Sequence, residues 1–260
     1  MCSSDLLVVD VGNTQTVFGL YEGDSLKADG RLSTHHHRST DEWAIEVAGL
    51  LDLKGISPRA VDAAIMSSVV PPLTGTLVET IRDLFGIEAL QVGPGTKTGI
   101  KILYENPLEV GADRIVNSVA ALARVGGPVI VVDFGTATTF DAITARAEYL
   151  GGLIVPGLQI SADSLFSRAA RLPRVEVRKP PRLIGRNTVH SIQSGLYHGY
   201  VCLINGVLDL MRVELEGGPK VIVTGGLSRV LAGDLKGVDL VEPHLTLDGL
   251  RIIYGKNRPA

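Results

Sequence analysis

The sequence predicts an α/β protein made of two similar domains. Two short segments support this prediction: VVDVGNTQT at residues 8–16 and VVDFGTATT at residues 131–139. Each is an apolar strand that ends in an aspartate and turns through a glycine into small hydroxyl residues, and each is followed by the same order of strand, hairpin and strand. The composition, with 45% hydrophobic residues, 20% charged residues and 30 glycines, is typical of an α/β protein with buried cores.

The first domain is expected over residues 1–126. Strands are predicted at residues 6–10, 16–21, 26–32 and 63–67, because these runs are apolar or alternating and are bounded by turn residues. Helical spacing predicts helices from Thr40 to about Leu51, over residues 76–85 and over residues 115–125. The glycine- and proline-rich residues 93–108 are expected to form a surface loop.

The second domain is expected over residues 127–260, since Gly126 and Gly127 end the preceding helix. Its strands are predicted at residues 131–133, 140–144, 149–155 and 221–224. Helices are predicted over residues 158–171 and 187–215, and a further helix from Leu227. Cys202 is expected in the core among apolar neighbours. Two such halves with a cleft between them are the plan of the actin, sugar-kinase and Hsp70 ATPase class, by analogy of fold.

Charge and composition exclude several classes of protein. A net charge of −3 and a pI of about 6.1 give no electrostatic basis for binding nucleic acid. No apolar run approaches the roughly 20 residues that a membrane-spanning helix needs. Two cysteines cannot form a disulfide framework, and the first residues lack a basic segment before an apolar one. A cytoplasmic protein is therefore expected.

The two aspartate-glycine turns are candidate nucleotide sites. Such a turn presents backbone N–H groups and hydroxyls as donors, beside a carboxylate that can hold a metal ion or its waters. Either turn alone could be an ordinary β-turn whose hydroxyls satisfy the backbone; the repetition favours phosphate binding. Gly225-Gly226 after a strand allows close backbone approach, either for adenosine or for tight strand–helix packing. The sequence GPGTKT at residues 93–98 lacks the spacing of a P-loop.

Asp113 and Arg114 lie where a loop meets a helix. Asp113 could be a helix N-cap with Arg114 facing solvent. Equally, Asp113 could be a general base and Arg114 an anion contact. The residues alone leave both interpretations open.

Several motifs in order resemble the type III pantothenate kinases across essentially the whole chain. They are DVGNT at residues 10–14, Tyr104 with Asn106-Pro107, GADR at 111–114, DFGTATT at 133–139, GGLIVPG at 151–157, GRNT at 185–188 and TGG at 224–226. The resemblance implies a cytoplasmic homodimer with the actin-like fold. It also implies ATP-dependent phosphorylation of pantothenate, the first step of coenzyme A synthesis, with Mg²⁺ and a monovalent cation, K⁺ or NH₄⁺.

The resemblance also implies roles for individual residues. Asp113 resembles the proton acceptor, Asp133 the ligand of the monovalent cation, and Thr136 the second ATP phosphate contact. The first ATP phosphate loop is Asp10, Val11, Gly12, Asn13, Thr14, Gln15, Thr16 and Val17. The implied pantothenate contacts are Tyr104, Gly111, Ala112, Asp113 and Arg114, together with Thr188 from the partner subunit.

Two other functions stay open at this point. A phosphatase, or an acetate- or sugar-type kinase, would use the same fold, although the compact chain disfavours sugar kinases with large insertions. A non-catalytic accessory protein would keep the scaffold, yet every candidate residue is present in this chain.

Overall fold

The computed structural model describes residues 5–169 and 172–258. The chain forms two compact units. Unit 1 comprises residues 1–100, 105–120 and 245–260, and unit 2 comprises residues 101–104 and 121–244. No helix in the described part of the chain is long and apolar enough to cross a membrane.

Unit 1 is a five-stranded sheet with helices on both faces. Its strands are β1 (Asp5–Val11), β2 (Gln15–Glu22), β3 (Ser25–Ser33), β4 (Val61–Ser68) and β5 (Ala89–Gln91), in the order β3-β2-β1-β4-β5. One face packs on helices α1 (Thr40–Leu53) and α2 (Pro71–Phe85) around Trp43, Leu73 and Met66. The other face packs on α3 (Ala112–Val125) and α7 (Leu245–Asn257).

Unit 2 repeats this plan in its own sheet. Its strands are β6 (Lys101–Ile102), β7 (Val129–Phe134), β8 (Ala137–Ile143), β9 (Glu148–Pro156), β10 (Lys220–Gly225) and β11 (Leu240–Val241), in the order β11-β10-β7-β8-β9-β6. Helices α4 (Leu158–Arg168), α5 (Thr188–Glu214) and the short α6 (Ser228–Leu231) complete it, and α5 packs its buried side chains on the sheet.

The predicted duplication is confirmed strand by strand. Strands β1 and β7 each pair antiparallel with the following strand and parallel with a strand that comes later in the chain. The registers also match, since Asp10 lies opposite Ser67 and Asp133 opposite Thr224. The aspartates therefore occupy equivalent positions in the two sheets, each beside a hydroxyl residue of the parallel neighbour.

The division into units differs from the expected boundary between residues 126 and 127 in three places, the smallest of which is that residues 121–126 belong to unit 2. Helix α7 belongs to unit 1, because Leu247, Leu250 and Ile253 are buried with Leu6 and Val8 of β1. Residues 101–104 belong to unit 2, where β6 pairs with β9. Neither α7 nor β6 was predicted from the sequence, although Leu247, Leu250 and Ile253 have helical spacing.

Smaller differences have local causes. Helix α2 begins at Pro71 and not at residue 76, because proline is favoured in the first turn of a helix, where its missing N–H is not needed. Helix α4 ends at Arg168, and residues 170 and 171 of the predicted helix lie outside the described residues. Cys202 is exposed on α5, so its expected place in the core is wrong.

Helix α1 begins where the sequence predicted it. Ser39 is the N-cap: its side chain accepts a hydrogen bond from Glu42 N–H, and the Glu42 carboxylate accepts one from Ser39 N–H. This capping box satisfies two amide groups that have no partner within the helix.

Two glycines of α7 provide a matched test of the contact between α7 and α3. A Cβ atom on Gly249 would overlap the carbonyl oxygen of Val116 and lie 2.7 Å from Val116 Cγ1, whereas one on Gly255 would meet nothing within 4 Å. We expect Gly249→Ala to lower the free energy of unfolding by about 1–3 kcal/mol through overpacking. Gly255→Ala should leave it unchanged or raise it by up to about 1 kcal/mol through helix propensity. Urea denaturation of both variants checks this, and equal effects would contradict the packing described.

Candidate functional site

The first aspartate-glycine turn is held in place by Thr34, at the end of β3. Thr34 Oγ1 donates to Gly12 O at 2.7 Å, Thr34 N donates to Thr14 O at 2.9 Å, and Thr34 Oγ1 lies 3.0 Å from Thr16 Oγ1. Gly12 N donates to Gln15 O at 3.1 Å. Thr34 therefore fixes the backbone of the turn, a role that was not predicted from the sequence.

Exposure separates the predicted phosphate-loop residues into two groups. Asn13, Thr14 and Gln15 are exposed and can reach a ligand with side chain and backbone, whereas Val11 and Thr16 are buried. Asp10, Gly12 and Val17 are half-buried. A phosphate would thus meet the tip of the turn, and the buried members act by shaping it.

Asp10 lies at the end of β1 with one oxygen fixed. Ser67, fully buried on the neighbouring strand β4, donates from Oγ to Asp10 Oδ1 at 2.7 Å. Burial raises the pKa of Asp10 to about 7, with a further contribution from the negative charge of Asp113, while the Ser67 hydrogen bond lowers it. The structure therefore brings Asp10 and Asp113 close enough for their charges to interact.

Asp113 lies in the first turn of α3 and folds back onto the helix start. Its Oδ1 accepts from Arg114 N at 2.8 Å, and Arg114 N also donates to Gly111 O at 3.1 Å. A Cβ atom on residue 111 would overlap Asp113 Oδ1, so this carboxylate position needs the glycine. Burial raises the pKa of Asp113, opposed mainly by the hydrogen bond from Arg114 N.

Arg114 is only 7% exposed. The interpretation in which it faces solvent is therefore wrong. Ala112, half-buried between Gly111 and Asp113, is the first residue of α3. The sequence GADR thus forms one compact helix start whose carboxylate and guanidinium are both largely removed from water.

The second aspartate-glycine turn follows β7 in unit 2. Gly135 N donates to Ala137 O at 3.1 Å, and Gly157 N donates to Thr136 O at 3.2 Å. Thr136 is exposed at the tip of the turn, as Thr14 is in unit 1. A Cβ atom on Gly157 would lie 2.7 Å from Gly135 O, so this glycine lets the strand after β8 pass close to the turn.

Gly225 determines the surroundings of Asp133. It has a φ of +88°, and a Cβ atom there would lie 2.5 Å from Asp133 Oδ1 and 2.6 Å from Phe134 N. The close approach is thus between the ends of β10 and β7. The Gly-Gly motif of the sequence packs against the aspartate of the second turn, and the space beside the Asp133 carboxylate depends on it.

The remaining predicted residues lie in unit 2. Tyr104 is half-buried next to β9, and Thr188 is exposed at the first position of α5, which Asn187 caps through a 2.8 Å bond from His190 N. Thr188 lines a surface groove of about 620 Å³ with Arg186, Ser191 and Leu165 of α4. The structure thus places Asp10 with Asp113 in unit 1, and Asp133 with Gly225 in unit 2.

The acid pair of unit 1 fits a divalent cation. Two desolvated carboxylates, of which Asp113 raises the pKa of Asp10 and each has one oxygen already hydrogen-bonded, form an oxygen donor set of the kind that Mg²⁺ binds together with substrate phosphates and water. No group of three or more His, Cys, Asp or Glu side chains arranged for a metal is found among residues 5–169 and 172–258. A cation here would therefore take most of its ligands from nucleotide and water.

Comparison with solved structures identifies the class of fold. The chain superimposes on (R)-2-hydroxyglutaryl-CoA dehydratase component A from Acidaminococcus fermentans with a TM-score of 0.56 at 12% identity, covering 95% of both chains. Inorganic polyphosphate/ATP-glucomannokinase from Arthrobacter sp. strain KM gives 0.50 at 14% identity, covering 98% of this chain and 100% of that one. The two repeated sheets thus have the duplicated actin-like fold of ATPases and sugar kinases.

Sequence comparison identifies the family within this class. The chain belongs to the type III pantothenate kinases, whose family model matches residues 6–210. A type III pantothenate kinase from Anaeromyxobacter sp. (strain Fw109-5) is 55% identical over 253 residues, which cover 97% of this chain and all of the relative. The resemblance drawn from the motifs is confirmed, and the chain is a kinase.

The pKa of Asp10 predicts an unusual dependence of stability on pH. At low pH the Asp10 carboxyl group is protonated in both the folded and the unfolded state. As pH rises from 3.8 toward about 7, it ionises first in the unfolded state, so the free energy of unfolding falls over this range. At about 1.4 kcal/mol per pKa unit, the loss is at most about 4 kcal/mol. We expect Asp10→Asn to remove this loss and to be more stable than the wild type at pH 8 in metal-free buffer.

Asp239 is a control, because its pKa is shifted in the opposite direction to that of Asp10. Burial is the largest single effect and would raise its pKa, but the hydrogen bonds that Lys220 Nζ and Val221 N donate to the carboxylate, with the positive charge of Lys220, lower the pKa overall. Asp239→Asn should therefore destabilise the fold at neutral pH, and the difference from wild type should shrink on acidification. Unfolding titrations between pH 4 and 8 check both variants, and a stability difference between Asp10→Asn and wild type that does not grow as pH rises would show that Asp10 is not desolvated.

Proposed function

We propose that this protein transfers the γ-phosphoryl group of ATP to the primary hydroxyl of pantothenate, giving 4′-phosphopantothenate, with Asp113 as the general base. Membership of the family supports the reaction and the substrates. The observation that supports the base is the position of Asp113, which is beside Asp10, held by its own helix start and poorly hydrated. The reaction belongs in the cytoplasm, where ATP is available.

The environment of Asp113 suits the role of a general base. A primary alcohol is a weak nucleophile, and a carboxylate hydrogen-bonded to it can accept the proton as the O–P bond forms. General-base catalysis of this kind is typically worth about 10²–10⁴-fold in rate, and more when the pKa of the base approaches the working pH. Burial raises the pKa of Asp113 in that direction. One oxygen is fixed by Arg114 N, so the other is left to face the alcohol.

The phosphates and cations are assigned to the two turns. Residues 10–17 bind the ATP phosphates through the exposed tip of the first turn, and Thr136 does so through the second. Asp10 would hold Mg²⁺, and Asp133, in the space beside Gly225, would hold K⁺ or NH₄⁺. Bound cations supply neutralisation of the charge that spreads over the phosphoryl oxygens. The protein supplies the fixed donors, since a turn held by Thr34 needs no reorganisation.

Pantothenate is assigned to Tyr104 and to residues 111–114. Its carboxylate is matched to Arg114, whose planar guanidinium suits bidentate recognition. We further propose a homodimer in which Thr188 contacts pantothenate in the partner's site. Unit 2 presents exposed apolar side chains near this residue in sequence and on β9, among them Leu183 (68% exposed), Ile184 (81%) and Ile154 (63%), as expected for a surface that another subunit covers.

Loss of the base gives the most direct test. Asp113→Asn keeps the shape of the side chain and the acceptor for Arg114 N but cannot take a proton. We expect kcat with ATP, Mg²⁺, K⁺ and labelled pantothenate to fall by about 10²–10⁴-fold. Asp83→Asn, an exposed acid of α2 in the same unit, should leave kcat unchanged. Turnover of Asp113→Asn within a few-fold of wild type would assign the base elsewhere.

Mixed dimers test the assignment of Thr188. Thr188→Asp should fold, because an acidic residue is favoured in the first turn of a helix, but it would repel the pantothenate carboxylate. If Thr188 serves the partner's site, mixing Thr188→Asp with Asp113→Asn restores one complete site per mixed dimer, and random exchange should recover about a quarter of wild-type activity. If the mixture is no more active than the average of the separate variants, Thr188 does not act across subunits.

A further inference from the structure

The segment that carries Tyr104 is attached to the edge of unit 2's sheet. Strand β6 pairs in parallel with β9, with Lys101 beside Glu148 and Ile102 beside Tyr149. Lys101 N donates to Ala147 O and Leu103 N to Tyr149 O, both at 2.9 Å. The backbone is therefore fixed up to the residue before Tyr104, and the side chain of Tyr104 extends from a defined point on the sheet.

The ring of Tyr104 rests against a glycine of β9. Gly151 has a φ of +124°, and a Cβ atom built on it would lie 3.2 Å from both Cδ2 and Cε2 of Tyr104. Such a contact is closer than a side-chain carbon normally makes. Residue 151 thus leaves the space that the Tyr104 ring occupies, and any side chain there would press on the ring.

A buried tyrosine–carboxylate pair supports the same ring from the core. The ring centroid of Tyr149 lies 6.4 Å from that of Tyr104, with the planes tilted by 50°. The Tyr149 hydroxyl donates to Asp141 Oδ1 at 2.8 Å, and Thr139 Oγ1 lies 3.4 Å from Asp141 Oδ2. Tyr149 and Asp141 are both fully buried. Burying a carboxylate is costly, so its place beneath a candidate substrate contact calls for an explanation.

We propose that Gly151, Tyr149 and Asp141 are positioning residues that hold the Tyr104 ring for pantothenate binding. This rests on the proposed function, in which Tyr104 contacts pantothenate. Pantothenate is an acyclic, flexible molecule, and ordering it on binding is costly. A ring already fixed by the sheet, the glycine and the tyrosine–carboxylate pair adds no ordering cost of its own. The three residues therefore act on substrate affinity through Tyr104, without touching the reacting atoms.

Tyr149→Phe tests the pair by removing one hydroxyl and leaving the ring in place. We expect the KM for pantothenate to rise about tenfold, with kcat and the KM for ATP within twofold of wild type. Tyr197→Phe is the matched control, because Tyr197 is also buried in unit 2 and donates its hydroxyl to a carboxylate, Asp234 Oδ2, at 2.5 Å. It should lose stability to a similar degree and leave the KM for pantothenate unchanged. Equal changes in KM for both variants would overturn the proposal.

Gly151→Ala tests the ring position from the other side. The added methyl group should displace Tyr104 and raise the KM for pantothenate about tenfold or more. Gly218→Ala is its control, since Gly218 also has a positive φ, +67°, and a Cβ atom there would meet nothing within 4 Å. Backbone strain alone would affect the stability of both variants and the KM of neither.

Tyr104→Ala distinguishes failure of the proposed substrate contact from failure of the positioning role. If wild type phosphorylates pantothenate but Tyr104→Ala leaves its KM unchanged, the proposed contact fails and the positioning role fails with it. If Tyr104→Ala raises KM and Tyr149→Phe raises it further in the same chain, the two act independently, which overturns the positioning role alone. The expected result is that Tyr149→Phe adds nothing once Tyr104 is gone, because residues that act through one another are not additive.

Discussion

The candidate site depends on two carboxylates that are held together where little water reaches them. Burial raises the pKa of both Asp10, at the end of β1, and Asp113, at the start of α3, and the negative charge of Asp113 raises the pKa of Asp10 further. Neighbouring groups offset this cost of burying two negative charges. Ser67 donates to Asp10, Arg114 N donates to Asp113, and Gly111 leaves the space in which Asp113 can turn back. Such an arrangement persists only because the packed sheet behind it fixes the backbone, and it is typical of sites that handle cations or protons.

Because the fold is duplicated, the aspartate of the second turn also lies beside a parallel strand, but its neighbours differ from those of Asp10. The parallel neighbour of each aspartate strand brings a hydroxyl residue to the same register, Ser67 in unit 1 and Thr224 in unit 2. The next residue then differs: Ser68 bonds locally to the start of α2, whereas Gly225 approaches Asp133 closely at positive φ. One topology thus yields a carboxylate held by a hydroxyl and another given space by a glycine. We propose that this difference underlies their assignment to different cations.

Sequence reasoning succeeded where the pattern is local and failed where it depends on contacts made far along the chain. The repeated strands, the turns and the start of α1 each have a signature within about ten residues, so they could be predicted. The attachment of α7 to β1 and of β6 to β9 joins segments that are distant in sequence, and a local pattern does not show which distant segment an element will pack on. The motifs likewise pointed to Asp113 and Asp10, but not to Thr34 or Ser67, because single hydroxyl residues at strand ends are common and acquire meaning only through register.

The membership of residues 101–104 in unit 2 has a functional consequence. Tyr104 and Asp113 are close in sequence, yet the first is fixed by the sheet that contains Asp141 and the second by the helix start of unit 1. Under the proposed function, the substrate contact and the proton acceptor are then supported by separate cores. A change beneath Tyr104 can alter binding while the base keeps its surroundings, because the two side chains share no hydrogen-bond partner among those described. If these proposed roles hold, recognition of a flexible substrate can change without disturbing Asp10 and Asp113.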